Sequence, residues 1–514
     1  MPQAPSSPAM SDSGEKQIAA HHQVEHSRVD SAKDGEYSDA SVPDSELEWS
    51  EEEERAIRRK IDWHTVPLIT VLYMLCFLDR INIGNASIQG MREDLHLEGV
   101  RLNWALSIFY IVYLLVEVPS NIILKRFGPR FYLPLLVCGF GFISLCTAFV
   151  ENFAGLMVAR VFLGIFEGGA FPGLAFFLSC FYKRNELLFR MGIYVSAASL
   201  AGAFGGLLAT GLSRIPEWGV ASMRIARWRN IFFFEGLVTM LVGLVAPIWM
   251  PTTPGEARFL TPRERRIAAE RLAREHKANP AGKVTWRDIK QAVLNIHNYT
   301  CALGFFLINI TVQGLSVFMP TILQDLGWTN TKAQLYSVPP YVAACLVAVA
   351  VAYLSDKTRQ RGIWLAAGAC VALTGFAILR WVEEPKLRYM ALYFVTVGAF
   401  PGGPGFLAWG LTSNSAGPSV RAVSSGYIVT LGTIGGIVAT WTYKRSDAPL
   451  YHTGHTINLC GQIATVALSF FGILYCLYEN KARAAGKRDH RLAGLTEEEQ
   501  EALGNNHPNF RYWI

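Results

Sequence analysis

The sequence predicts an all-α membrane protein: twelve transmembrane helices in two six-helix bundles, with both termini in the cytosol. Three observations predict it. Hydrophobic residues make up 51% of the 514 residues and charged residues only 17%, below the roughly 25% usual for soluble domains. Twelve segments approach the length of about 20 mostly apolar residues that crosses a bilayer. A single long polar loop, near 251–298, divides them six and six, the pattern of two bundles joined by a linker.

The first six spans are expected near 65–88, 103–123, 131–150, 154–181, 190–213 and 230–250. The second six are expected near 299–322, 333–354, 362–381, 389–412, 422–443 and 456–478. Residues 1–60 are rich in Ser, Glu, His and Asp and lack an apolar core, so they read as a disordered tail. The charged stretch ELEWSEEEERAIRRKIDWH before the first span reads as a helix on the membrane surface. The N-terminal bundle then covers 61–250, the linker 251–298, the C-terminal bundle 299–480 and a second tail 481–514. The linker carries the basic, helix-like LTPRERRIAAERLAREHK.

Lys and Arg in the loops set the orientation. KRFGPR after span two, YKRN after span four, DKTRQR after span eight and the basic linker all fall on the side of the termini. The loop between spans five and six, with Arg214, Arg224 and Arg227, is the exception. The net charge of +6 reflects this asymmetry and points to no nucleic-acid partner. None of the nine cysteines forms a CxxC pair, so neither a metal site nor a disulfide framework is expected. No phosphate loop and no nucleophile elbow occurs, which argues against an enzyme, and no cofactor is expected.

Ionisable residues inside spans are costly, about 2.5–3.5 kcal/mol at mid-bilayer, and mark functional sites. Those here are Asp79, Arg80, Glu117, Arg160, Glu167 and Glu235, all in the first half. Successive helical residues turn by about 100°, so Asp79 and Arg80 point in different directions. Arg160 and Glu167, seven apart, share a face. Asp79, when deprotonated, is expected to pair with Arg160. Arg80 is expected to grip a substrate carboxylate with its planar fork. Glu167, in the apolar stretch GIFEGGAF, is the expected carrier of a coupled proton. Asn309 and Gln313 are one turn apart on span seven and face the interior as candidate substrate contacts. Glu235 is expected to balance Arg227 or Arg229.

NIILKRFGPR after span two and AYLSDKTRQR after span eight resemble the paired loops of the major facilitator superfamily. Arg126, Gly128 and Arg130 match the first copy, where Lys125 replaces the usual acid and Asn121 the first glycine. Asp356, Lys357 and Arg361 carry the second. The resemblance implies that these loops gate the bundle ends. LDRINIGNA, RVFLGIFEGGAFPG, WRNIFFFEGL, YSVPPYVAA, RAVSSGYIVTLGTIGGI, DAPLYHTGH and NNHPNFRY together resemble the anion:cation symporter branch, the fungal allantoate, nicotinate and vitamin permease type. That branch implies roles for Asp79, Arg80, Arg160 and Glu167 in substrate and proton binding. It also implies substrate contact for Tyr113 and a cavity position for Trp409.

The expected activity is proton-coupled symport of a small organic anion by a monomer in the plasma membrane. The partners are the anion, protons and the lipid bilayer. An exporter of an acidic metabolite and a transporter-like nutrient sensor are the alternatives. Span five lacks an antiporter-type Gly-Pro signature, which leans toward uptake with protons.

Overall fold

The computed structural model describes residues 48–220, 223–278, 285–413, 418–494, 496, 500 and 503–514. Residues 1–47, most of the expected tail, lie outside the described residues. Ser50–Ile514 form one compact unit.

Among the described residues, eleven helices are long and apolar enough to cross a membrane. In the first half they are Glu51–Asp94, Arg101–Phe127, Pro129–Thr147, Phe153–Ser179, Arg190–Leu212 and Trp228–Trp249. In the second half they are Ile296–Asp325, Asn330–Thr358, Arg361–Trp381, Pro385–Leu411 and His452–Ala484, with the shorter Val423–Ala439 as span eleven. Asn152 caps span four by accepting from Gly155 N at 2.8 Å, satisfying one of the free amides at a helix start. A glycine at φ +77°, Gly128, turns the chain from span two to span three, with Pro129 opening the next helix.

One expectation at the N-terminal edge is corrected. The helix of span one starts at Glu51 and runs unbroken into the apolar segment, so the last ten residues of the expected tail are structured. From Glu51 on, the charged stretch is the beginning of this same helix. Glu54, Arg58 and Asp62 recur every fourth residue and therefore share one face. They meet Lys183 at 2.6 Å, Glu186 at 3.1 Å and Arg190 at 2.5 Å at the start of span five. On another face Lys60 meets Glu264 at 2.5 Å, Glu53 meets Arg263 at 3.1 Å, and the His64 ring stacks on Phe259 at 4.2 Å. The linker helix Pro262–Ala278 is thus fastened to the first half. Its Arg271, fully buried, sits 3.3 Å from Glu186 and donates to Phe181 O at 2.8 Å. A second linker helix, Trp286–Val293, packs on span eleven.

The halves meet through span one against seven, two against eleven, and five against eight. The last two pairings are equivalent if six-helix units repeat. Their hydrogen bonds cluster away from the termini. Gln89 donates to Gln334 at 3.0 Å, Thr210 donates to the same Gln334 oxygen at 3.2 Å, and Asn103 donates to Thr440 O at 2.5 Å. The Ser107 and Thr440 hydroxyls are 2.6 Å apart, and Trp104 meets Trp441 edge-on at 5.3 Å. This loop end is therefore closed. Gly84 is a requirement of the closure, because a Cβ there would collide with the Val317 carbonyl across the seam. A Gly84→Val substitution is expected to hold spans one and seven apart. Loss of the disulfide that otherwise forms between cysteines placed at 107 and 440 would report it.

The basic loop between spans five and six forms a small hairpin, Trp218–Val220 paired with Met223–Ile225. Arg224 lies 3.4 Å from Glu217. Arg229 donates to Ala148 O at 2.7 Å, capping the end of span three. Arg227 lines a hollow at the loop end together with Arg92, Arg445 and Tyr451. Of the loop's arginines, Arg224 is thus paired within the hairpin and Arg227 lines this hollow.

Candidate functional site

A cavity of about 100 Å³ lies between the halves, beneath the closed loop end. Spans one, two, four and five contribute Tyr73, Phe77, Arg80, Tyr110, Tyr113, Phe171, Ser196 and Ser199 to its wall. Span seven contributes Phe305, Asn309 and Gln313, and spans ten and eleven contribute Phe400 and Thr433. Seven aromatic rings stand among the aliphatic and small residues of the wall, and among the described residues Arg80 is its single charged member.

The surroundings of Arg80 fix its direction. Its Nε donates to Glu167 Oε2 at 2.8 Å; the arginine side chain is 11% exposed and the glutamate 0%. The guanidinium carbon sits 4.9 Å from the Tyr113 ring centre, 5.4 Å from Phe109 and 6.0 Å from Phe77, distances at which ring faces attract a cation. Aromatic rings and a carboxylate thus hold the cation, while its remaining edge faces the cavity. Glu167 presents its second oxygen, Oε1, to no donor. The fork expected for a substrate carboxylate is therefore half occupied by the protein's own acid.

The neighbouring Asp79 points the other way, into the first half. Its expected partner is not Arg160: Asp79 Oδ1 accepts from Ser144 at 2.5 Å, and no ion pair joins it to Arg160. The reason is span three, which packs beside span one and brings its hydroxyl within reach first. Arg160 is 3% exposed, with Nη2 lacking a partner, and it does not line the cavity. The structure therefore corrects its expected place at the substrate wall. Glu235 is corrected likewise: its partner is Asn82, which donates to Oε2 at 2.6 Å, and neither Arg227 nor Arg229.

Tyr113, Asn309 and Gln313 lie where expected, on the cavity wall. Gln313 Oε1 accepts from Tyr110 OH at 2.9 Å across the halves. The Asn309 amide donates back to Phe305 O at 3.0 Å. Glu117 is buried in span two with Oε2 unpartnered, outside the cavity wall.

Trp409 is not a cavity residue. It is fully buried at the terminus end of the second half, where its Nε1 donates to Trp513 O at 3.1 Å and His297 meets it edge-on at 4.7 Å. The C-terminal segment draws it there. The Asn480 side-chain amide makes two 2.8 Å bonds with the Tyr512 backbone, Arg483 donates to Phe510 O at 2.8 Å, and Gly362 N donates to Ile514 O at 3.3 Å. The aromatic run NFRYWI was the available signal for this docking. A Trp409→Ala substitution is expected to lower stability by about 3–5 kcal/mol, as for other buried Trp truncations, with ligand affinity at the cavity unchanged. Thermal unfolding and a binding titration check the two halves of this expectation.

The paired loops sit at the terminus end. Arg126 is exposed and Arg130 lies 3.8 Å from Glu256 of the linker. Asp356 and Arg361 pair at 2.5 Å, Lys357 is exposed, and Trp513 lies 5.3 Å and 5.8 Å from the Arg359 and Arg361 guanidinium carbons. The second loop is thus engaged within its own half. One reading of the charges was too narrow. Buried ionic groups also occur in the second half, where Arg388 at the start of span ten is fully buried and donates to Leu450 O at 2.9 Å.

Residues 69–440 match the model of the Major Facilitator Superfamily. The chain is 33% identical to an uncharacterized transporter of Schizosaccharomyces pombe, over 82% of this chain and 86% of that one. It is 31% identical to a high-affinity nicotinic acid transporter of Saccharomyces cerevisiae, over 89% and 85% respectively. Its fold is similar to that of a bacterial homologue of the human lysosomal transporter Spinster, solved facing inward and unoccupied. That match has a TM-score of 0.58 at 16% identity, covering 82% of this chain and 96% of the other. With twelve apolar helices in two packed halves around a central cavity, and a family match over most of its length, this chain belongs to the major facilitator superfamily and is a multi-pass membrane transporter rather than an enzyme.

Proposed function

We propose that this transporter carries a small organic anion together with a proton, by alternating access between the two halves. The observation that carries the reading is Arg80, the one charged residue described in the cavity wall, paired with the fully buried Glu167 behind it. While Glu167 is ionised it neutralises Arg80, and a second carboxylate gains little there. Once Glu167 takes a proton, Arg80 is left as an uncompensated cation facing the cavity. A substrate carboxylate then takes the place of Glu167 on the guanidinium. Proton and anion thus each raise the affinity for the other, which is the reciprocal coupling that symport needs. Asp79, next to Arg80 but facing inward, is a further proton-binding group of this cycle.

The substrate is a monocarboxylate of vitamin-like size. One cation faces the cavity, seven aromatic rings contribute to its wall, and the nicotinic acid relative supports the class. The excess of Lys and Arg in loops at the terminus end assigns that end to the cytosol, in the plasma membrane. There the paired loops, Arg126 to Arg130 and Asp356 to Arg361, gate the bundles.

The deciding experiment is uptake into vesicles containing only this protein, under an imposed pH step, across a panel of monocarboxylates, sugar acids, ureides and peptides. Accumulation of a monocarboxylate that follows the inward proton gradient supports the reading. Uptake indifferent to the gradient, or confined to uncharged solutes, overturns it. Accumulation in such vesicles also dismisses a purely sensory role.

A further inference from the structure

Behind the Arg80–Glu167 pair lies a second buried polar group, of which the proposed cycle uses Asp79 alone. Asp79 and Asn82 are one helical turn apart on span one and so face the same direction, toward Ser144 on span three and Glu235 on span six. Asn82 is fully buried, Asp79 is 2% exposed and Glu235 is 8% exposed. The three side chains present five carbonyl or carboxyl oxygens. Two receive a donor: Asp79 Oδ1 from Ser144 at 2.5 Å, and Glu235 Oε2 from Asn82 at 2.6 Å. The other three, Asp79 Oδ2, Asn82 Oδ1 and Glu235 Oε1, have none. Among the described residues no Lys, Arg or His forms an ion pair with Glu235; Asn82 is its hydrogen-bond partner, and Asp79 is the charged group that acts on it. Arg160 on span four, also buried, makes no ion pair with either acid.

A buried cluster with more acceptors than donors is satisfied by adding protons. An ionised carboxylate withdrawn from water with no cation beside it is the costly alternative. We propose that Glu235 is a proton-binding residue of the transport cycle, forming with Asp79 and Asn82 a second proton site behind the Arg80–Glu167 pair. Binding forms one O–H bond on a Glu235 oxygen and release breaks it; nothing else in the cluster changes covalently. The amide of Asn82 holds one Glu235 oxygen, leaving the other, Oε1, to take the proton. A proton lost from Glu235 leaves a charge within the same buried set as Asp79, so the two acids exchange protons as a unit.

This inference rests on the proton-coupled reading, and its first test is independent of any substrate. Infrared difference spectra of the full chain in vesicles, titrated with alkali, are expected to show a buried carboxylic C=O band that Glu235→Gln removes. A spectrum that Glu235→Gln leaves unchanged overturns the proposal. The second test uses nicotinate as the probe and reads the proton-to-anion ratio from the gradient that just stops net flux. Glu235→Gln is expected to lower the ratio by about one proton, and an unaltered ratio overturns the proposal. Should Glu235→Gln not fold, Glu235→Asp is expected to move the midpoint of the infrared titration; a midpoint equal to that of the unaltered protein overturns the proposal. Failure of Glu167→Gln to uncouple transport retires the Arg80–Glu167 cycle but leaves the infrared result on Glu235 standing, so the two readings fail separately.

Discussion

Replacing Glu167 with Gln is expected to abolish proton-driven uptake while counterflow exchange of the anion continues. The geometry makes this substitution informative. Glutamine keeps the length of the side chain, and its carbonyl can still accept from Arg80 Nε, now 2.8 Å from Glu167 Oε2. What it removes is the charge that, on the proposed cycle, competes with the substrate, and the group proposed to take the proton. Arg80 is then permanently available, as it is when Glu167 carries a proton. Exchange of anion for anion needs only binding and reorientation, and both survive. Concentrative uptake needs the affinity to fall when the proton leaves, and that is lost. The measurement is uptake with and without an inward pH gradient, beside exchange between loaded vesicles at equal pH. Loss of both activities together would mark Glu167 as a structural partner of Arg80 and nothing more.

The Arg80→Ala substitution is expected to cost more. It removes the cation that faces the cavity and strands Glu167, fully buried, without its partner. Breaking a buried pair in this way costs about 3–5 kcal/mol, and each 1.4 kcal/mol is a factor of about ten in affinity or stability. Anion binding should therefore fall on the order of a hundredfold or more. Part of the effect is on folding, and the double variant Arg80→Ala with Glu167→Gln separates the parts. It leaves no lone charge, so thermal stability should recover while anion binding does not. Recovery of both would place Arg80 in the scaffold and outside the substrate site. The rings of Tyr113, Phe109 and Phe77 around the guanidinium favour a delocalised, planar cation. Arg80→Lys is accordingly expected to restore stability better than affinity.

Much of the architecture was legible along the chain. A segment that crosses lipid must satisfy every backbone group internally, so it becomes a helix whose length the bilayer dictates. Eleven described helices and a shorter twelfth accordingly fall near the segments that composition marks. The 100° step between neighbours also showed that Asp79 and Arg80 part company, and they do. Which partner each met was not legible. Asp79 found Ser144 because spans one and three are packed together, and Glu235 found Asn82 because span six also borders span one. Trp409 was assigned to the cavity on its position in span ten, yet the last residues of the chain fold back and draw it to the terminus end. The charged start of span one carried a clear helix signal. Its partners, at the head of span five and on the linker helix, lie more than 100 residues away in sequence and leave no local trace.

Composition, span lengths and loop charges therefore decided by themselves that this chain is a helical membrane protein whose apolar segments divide six and six, and that most of its span charges lie in the first half. Those properties are set by solvation, which each segment experiences alone. Tertiary packing decided that Arg80 lines the cavity bound to Glu167, that Arg160 does not line it, and that Glu235 meets Asn82 while Asp79 meets Ser144. A buried ionisable group takes whichever partner the neighbouring helices bring within hydrogen-bond reach, and that choice exists only once the helices have met.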